Sequence, residues 1–260
     1  MVELVKIEER FDKAVLALTI GPAPANIVSA PLMEALTSAL DVAEKNKNCK
    51  LIILSGEGKH FSYGASVEEH APAEVGKMLP NFHKLIAKMI AHPVPILGRV
   101  QGRCLGGGFE VAMACHFLFT ESGAQFAVPE IKLGVFPPPA CALLPLKVGD
   151  VRANEMIVTG ENFSGEDLYR LGMANDCSPS EQVGELDKRI QLFVEKKILP
   201  KSGSSIRMAT QASRLFMREH FQKYIEKLES FYLKDLMGTQ DANEGIMAFI
   251  EKRPAVWKNQ

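Results

Sequence analysis

No two of the five cysteines (Cys49, Cys104, Cys115, Cys141 and Cys177) stand at CxxC spacing, and their number is odd. Such scatter suggests neither a zinc site nor a disulfide framework, and it fits a reducing compartment. Cys104, Cys115 and Cys141 sit among apolar residues and read as buried small hydrophobes. A charge excess is missing as well, with 30 Lys and Arg against 31 Asp and Glu. That balance argues against a general nucleic-acid binder, which would carry a basic excess or stripe. The opening MVELVKIEERFDKAV contains no continuous apolar stretch of the kind a secretory leader needs. The most apolar stretch, Cys104 to Phe119, includes Glu110 and His116 and is shorter than the roughly 20 residues of a membrane span. These absences predict a soluble cytoplasmic protein with neither nucleic acid nor membrane as partner.

What is present is a chain of 260 residues, 47% of them apolar, enough for one large domain or a domain with a small appendage. Two strand-like runs, Val2 to Glu8 and Ala14 to Ile20, open it. Ser29 offers a helix cap, and Leu32, Leu36 and Leu40 recur at helical spacing through Asn46. Leu51 to Ser55 and Val94 to Val100 are short apolar runs that read as buried strands. A helix is expected from about Ala73 to Ala91, another around Phe109 to Cys115, and a strand in HFLFTE. Strand, loop and helix thus recur twice, the pattern of parallel pairing with crossover helices. From about residue 140 helical periodicity dominates, with breaks at Gly160, Gly172, Pro179 and Pro200.

Three features could carry chemistry. Gly106-Gly107-Gly108 precedes an apolar helix, so a ligand atom could approach unpaired amides at a helix start. Such amides can stabilise an oxyanion, although a tight turn packed on the sheet is the plainer reading. Gly64-Ala65-Ser66 also follows a buried strand and alone would be an ordinary surface loop. Two neighbouring parallel strands, however, present such turns at one edge of the sheet. The third feature is a pair of carboxylates in apolar surroundings, Glu110 in GGGFEVAMAC and Glu130 in FAVPEIKLG. A buried carboxylate is costly unless paired or functional. Glu110 is either a partner for Arg99 or Arg103, or half of an acid–base pair with Glu130. His70, His83 and His92 read as solvated or capping, Glu68, Glu69 and Glu74 as a solvated loop and helix start, and Pro137-Pro138-Pro139 as a stiff segment or plain turn. Neither a G-x-G-x-x-G nor a P-loop pattern is completed.

HFSYGASVEE, GRCLGGGFEVAMAC, FAVPEIKLGVFP and EGIMAFIEKRPAVW, in this order through nearly the whole chain, resemble the crotonase family of enoyl-CoA hydratases and isomerases. The resemblance implies an α/β fold, a spiral of repeated ββα units over residues 1–195, with a helical oligomerisation region over 196–260 that builds homotrimers or homohexamers. It implies an acyl-CoA thioester substrate and no metal or redox cofactor, coenzyme A being part of the substrate. The family's oxyanion-hole amides fall on Ala65 and Gly107, and its two glutamates fall on Glu110 and Glu130. Family hydratases carry both glutamates, whereas many isomerases keep one, so hydration is expected. Gly64, Ala65, Ser66, Val67, Glu68, Gly106, Gly107, Pro137 and Pro138 are the expected substrate-binding residues. Where the family usually has a glycine-rich stretch, this chain has Phe136-Pro137-Pro138-Pro139-Ala140-Cys141, so the acyl pocket should be reshaped. FSYGASVEEH, GRCLGGGFEVA and PEIKLGVFPPPACALLP are most like the branch that hydrates the cyclic dienoyl thioester formed from benzoyl-CoA. An ordinary 2-enoyl-CoA hydratase is the alternative, and a non-catalytic acyl-CoA- or RNA-binding member is an alternative of another class.

Overall fold

Strands in the first half alternate between two buried faces, and that alternation builds the sheet. A computed structural model describes residues 3–260. Of the strand expected over Val2 to Glu8, Val2 lies outside the described residues; the strand itself runs Val5–Arg10 (β1). It pairs antiparallel with Val15–Ile20 (β2) and forms an edge whose charged side chains discourage further pairing. Chain order continues with Ala30–Lys45 (α1), Leu51–Gly56 (β3), Val75–Ala91 (α2), Ile96–Val100 (β4), Arg103–Leu105 (β5), Gly107–Ala114 (α3), Phe117–Glu121 (β6) and Gln125–Ala127 (β7). Pro138–Val148 (α4), Asp150–Thr159 (α5), Phe163–Ser164 (β8), Gly165–Arg170 (α6), Asp176–Ser178 (β9) and Glu185–Phe193 (α7) follow. Gly203–Ser230 (α8) and Gln240–Ile250 (α9) end the helical region.

Six strands form the main sheet in the order β1-β2-β3-β4-β6-β9, parallel from β2 onward, while β5, β7 and β8 form a smaller second sheet. The result is an α/β fold with a helical C-terminal region. Leu16, Leu18, Ile52, Leu54 and Ile96 face a large core closed by α1, α2 and α3. Val15, Leu51, Ile53 and Leu97 face the other way, onto Leu186 and Ile190 of α7. The two-residue period of a strand puts alternate members of one apolar run into different cores. α8 packs on α2 and α4. Among the described residues no helix is long and apolar enough to cross a membrane.

Ser29 does occupy the cap position of α1, but its side chain makes no capping bond. Glu69 substitutes for it, accepting from the Ala30 amide at 3.2 Å, so this glutamate is tied to a helix start rather than simply solvated. The histidine expectations also change. His83 and His92 are buried; His83 Nδ1 pairs with Glu229 at 2.7 Å, and His92 bonds the carbonyls of Val94 and Leu40.

Asn26 organises the first long loop. Fully buried, it points its Nδ2 at the carbonyls of Glu57, His60 and Phe61 and accepts from Ser62 Oγ through its own carbonyl at 2.8 Å. Asn26→Ala strands those carbonyls without their donor, and each buried unmet group costs about 1–3 kcal/mol. With the two N–H groups of Nδ2 lost, a fall in Tm of roughly 5–20 °C is expected for a chain of this size, read by circular dichroism or calorimetry.

Candidate active site

β3 and β4 are parallel neighbours, with Ile52 opposite Ile96 and Ser55 opposite Arg99. Their loops therefore leave the same edge of the sheet and run side by side. Ser62 N–H donates to Arg103 O and Leu105 N–H to Ser62 O, at 3.1 and 3.0 Å. This zipper seats the Gly64-Ala65 turn on the glycine run. A β-carbon on Gly107 would lie 3.0 Å from the Ala65 nitrogen, and one on Gly108 would lie 2.5 Å from Ser62 Cβ. Only bare backbone fits there. Among the described residues, neither the Ala65 nor the Gly107 amide donates to another part of the chain. Gly107 is the first residue of α3, so its N–H belongs to the unpaired first turn and carries the helix's positive end.

One turn further along α3, Glu110 is 3% exposed. Its Oε1 accepts from the Ala140 amide at 2.9 Å. The three prolines account for that partner. They form no plain turn: Pro137 caps α4, and Pro138 and Pro139 are its first two residues. Lacking N–H groups, they suit a helix start. Ala140 therefore offers the first amide of α4, aimed at Glu110. Neither arginine considered as a partner reaches this carboxylate: Arg99 pairs with Asp187, and the Arg103 guanidinium lies over the Tyr63 ring.

Glu130 stands on the 3-10 turn Pro129–Leu133. A β-carbon on Gly106 would sit 2.6 Å from its Oε1, and its Oε2 is buried without a partner. Burial raises the pKa of both glutamates above the carboxylate range, and the Glu130 charge lifts Glu110 further. Two such groups do not ionise together, so the pair retains a proton where isolated carboxyls have lost theirs.

Both carboxyls face a cavity of about 430 Å³, together with Gly64, Ala65, Val67, Gly106, Gly107, Pro137 and Pro138. Ser66 and Glu68, expected at the ligand, are not part of that wall; Ser66 Oγ instead donates to Glu68 at 2.8 Å. His70 does line the cavity rather than sitting in solvent, with Nδ1 2.7 Å from Ser66 O and its pKa lowered by burial. Sequence reasoning missed Phe82, Tyr232, Ile246 and Phe249, which complete the apolar wall. The last three come from the C-terminal helices. Gly245 in EGIMAFIE is the local signal for that docking, because a β-carbon there would lie 2.2 Å from Leu133 O. Two free amides beside two partly protonated carboxyls can polarise a carbonyl and move a proton on and off a bound molecule.

A family model described as enoyl-CoA hydratase/isomerase matches residues 10–260. The chain is 37% identical over 249 residues to a cyclohexa-1,5-dienecarbonyl-CoA hydratase of Thauera aromatica, covering 96% of this chain and 95% of that protein. It is 33% identical over 256 residues to a probable enoyl-CoA hydratase of Bacillus subtilis, covering 96% and 97%. An enoyl-CoA hydratase structure from Mycobacterium avium subsp. paratuberculosis has the same fold, with a TM-score of 0.85 at 21% identity over 100% of both chains.

A buried carboxyl with a raised pKa is tolerated when neutral and destabilises the fold once ionised. Glu110→Gln keeps an oxygen for the Ala140 amide and removes the charge. The variant should match wild type near pH 4, where Glu110 is protonated in both the folded and unfolded states. Its Tm should exceed wild type increasingly as pH rises above the ordinary glutamate value of 4.5, until the folded carboxyl has ionised. Thermal melts across pH 4–9 measure the gap; a gap that closes with rising pH would contradict this picture.

Proposed function

The chain belongs to the enoyl-CoA hydratase/isomerase family, and from that premise we propose that it hydrates cyclohexa-1,5-diene-1-carbonyl-CoA to 6-hydroxycyclohex-1-ene-1-carbonyl-CoA, a step in anaerobic degradation of aromatic compounds through benzoyl-CoA. At the coarser level it is a hydro-lyase of enoyl-CoA thioesters, in keeping with relatives named as hydratases. The observation that carries the finer reading is the wall of the cavity. Val135, Phe136 and three consecutive prolines give a stiff apolar surface suited to a ring. The 37% identity to a hydratase of that cyclic diene supports it.

In the proposed mechanism the thioester oxygen accepts hydrogen bonds from the Ala65 and Gly107 amides. As the water oxygen bonds to the β-carbon, charge moves onto the thioester oxygen, so these bonds strengthen in the transition state. One carboxylate takes a proton from water, and the other carboxyl gives one to carbon. We assign water to Glu110. Burial first and the Glu130 charge next raise its pKa against the Ala140 N–H, so its anion requires that Glu130 hold the proton the pair shares. Glu130, whose Oε2 has no partner among the described residues, is assigned the proton. The ring makes the intermediate a dienolate, with charge on oxygen, on the α-carbon and on the distal diene carbon. Protonation at the distal carbon completes a 1,4-addition: one carbon–oxygen and one carbon–hydrogen bond form, and the remaining double bond shifts next to the thioester.

Glu110→Gln and Glu130→Gln should each fold and bind acyl-CoA but lose roughly 10²–10⁴-fold in turnover. Steady-state rates beside circular dichroism test this, and near-normal turnover would remove that residue from the mechanism.

The substrate reading is tested by rates and by label. Turnover of the cyclic dienoyl-CoA, followed by chromatographic product formation because the product keeps a double bond next to the thioester, should exceed that of crotonyl-CoA, followed by loss of conjugated absorbance. In deuterium oxide, NMR of the product should find deuterium at the far end of the original diene. Deuterium α to the thioester, with crotonyl-CoA the better substrate, would leave a general 2-enoyl-CoA hydratase.

A further inference from the structure

Among the described residues, six buried side-chain polar atoms have no hydrogen-bond partner: Asn26 Oδ1, His83 Nε2, His116 Nε2, Arg207 Nε, Glu130 Oε2 and Tyr232 Oη. Of these six residues, only Glu130 and Tyr232 line the cavity. Their chemistry is complementary, because a phenol donates and a carboxylate accepts. Tyr232 is 1% exposed and arises from the π-helical turn Phe231–Asp235 that follows α8. Its ring is held edge-on to Phe136 at 5.3 Å, and one turn earlier Glu229 is anchored to His83 of α2. The phenol is therefore fixed by packing on two sides while its hydroxyl is left unpaired. A hydroxyl buried without a partner is costly.

We propose that Tyr232 is a positioning residue for Glu130: when Glu130 gives its proton to carbon, the phenol O–H donates a hydrogen bond to the carboxylate oxygen left behind. In that step the carbon–hydrogen bond forms from the dienolate electron pair, the Glu130 O–H bond breaks, and the phenol keeps its own proton. A neutral carboxyl tolerates an unpartnered Oε2; a buried anion does not. The two groups are not hydrogen-bonded to each other in the structure. Both residues line the same cavity, and the broad terminal torsion of a glutamate leaves the Glu130 carboxyl free to turn within it. Because the bond is charge-assisted, it gains most as the proton departs and so lowers the barrier rather than tightening substrate binding.

Other titratable groups around the pair are Glu110 on α3, Cys141 on α4, Lys132 on the turn of Glu130, and Tyr63 and His70 on the loop after β3. Burial and the nearby carboxylates push the Cys141 thiol up to about 12, which keeps it neutral. Burial and the charges of Glu130 and Glu110 likewise raise the Tyr232 phenol, which stays a donor.

The inference rests on Glu130 as the carbon acid. Tyr232→Phe keeps the ring and removes only the donor. Its kcat should fall about 10–100-fold, the loss expected for one hydrogen bond to a charged group, with KM changed less than about twofold. Loss of a donor to the anion raises the Glu130 pKa, so Glu130 stays protonated to higher pH. The alkaline limb of kcat should therefore move up by about one pH unit. Added to Glu130→Gln, the same change should have little further effect. Crotonyl-CoA and the cyclic dienoyl-CoA are both assayed, so the outcome is independent of the acyl group, and thermal melts verify folding. An unmoved alkaline limb, or effects of the two substitutions that multiply, would overturn the role of Tyr232 while leaving Glu130 as the acid. Near-normal turnover of Glu130→Gln alone would overturn the acid assignment and this inference with it.

Discussion

Close backbone contact between two loops governs the rest of the site. Where Gly107 and Gly108 meet Ala65 and Ser62, there is no room for a β-carbon. The contact exists because β3 and β4 are adjacent and parallel, which sends both loops from one edge of the sheet. It brings together two amides that have no acceptor among the described residues, one of them at the positive end of α3. It also fixes the direction in which α3 sets out, and one turn along that helix puts Glu110 at the cavity. A larger residue in either turn would push the loops apart and lose the amide pair and the carboxylate position together.

Burying two carboxyls beside those amides is electrostatically expensive, and the surrounding elements temper the cost. α4 begins with prolines and turns its first real donor, Ala140, toward Glu110. Glu130 has no comparable donor on Oε2 and retains its proton more readily than an exposed glutamate. Burial raises both carboxyls, Glu110 the more, so the two share a proton rather than ionise together. The cavity is closed from the far end of the chain. Gly245 lets α9 settle on the Pro129–Leu133 turn, which brings Ile246 and Phe249 to the wall, and Tyr232 arrives from the turn after α8. The helical C-terminal region therefore does more than cover the sheet.

Much of the fold is local and was legible. The apolar runs of β2, β3 and β4 and the leucine spacing of α1 state their own geometry, because strand and helix periods differ. The glycine run and the two glutamates in apolar surroundings were equally visible. Misreadings occurred where a residue's partner is distant in sequence. Ser29 looked like the cap of α1, but Glu69, forty residues on, supplies the bond. His83 looked solvated until α8 brought Glu229 against it. The prolines announce a stiff segment, but their use as a helix start is fixed by the helix behind them.

Residue types, their local periods and the small-residue turns were thus determined by the order of amino acids alone, since each reflects forces acting over one or two turns of chain. Which turns touch, which carboxyl receives the α4 amide, and which aromatic from residues 231–249 reaches the cavity were decided only by tertiary structure. Those outcomes depend on distances between segments separated by dozens of residues. No local propensity encodes such distances, and only the packing of helices on both faces of the sheet sets them.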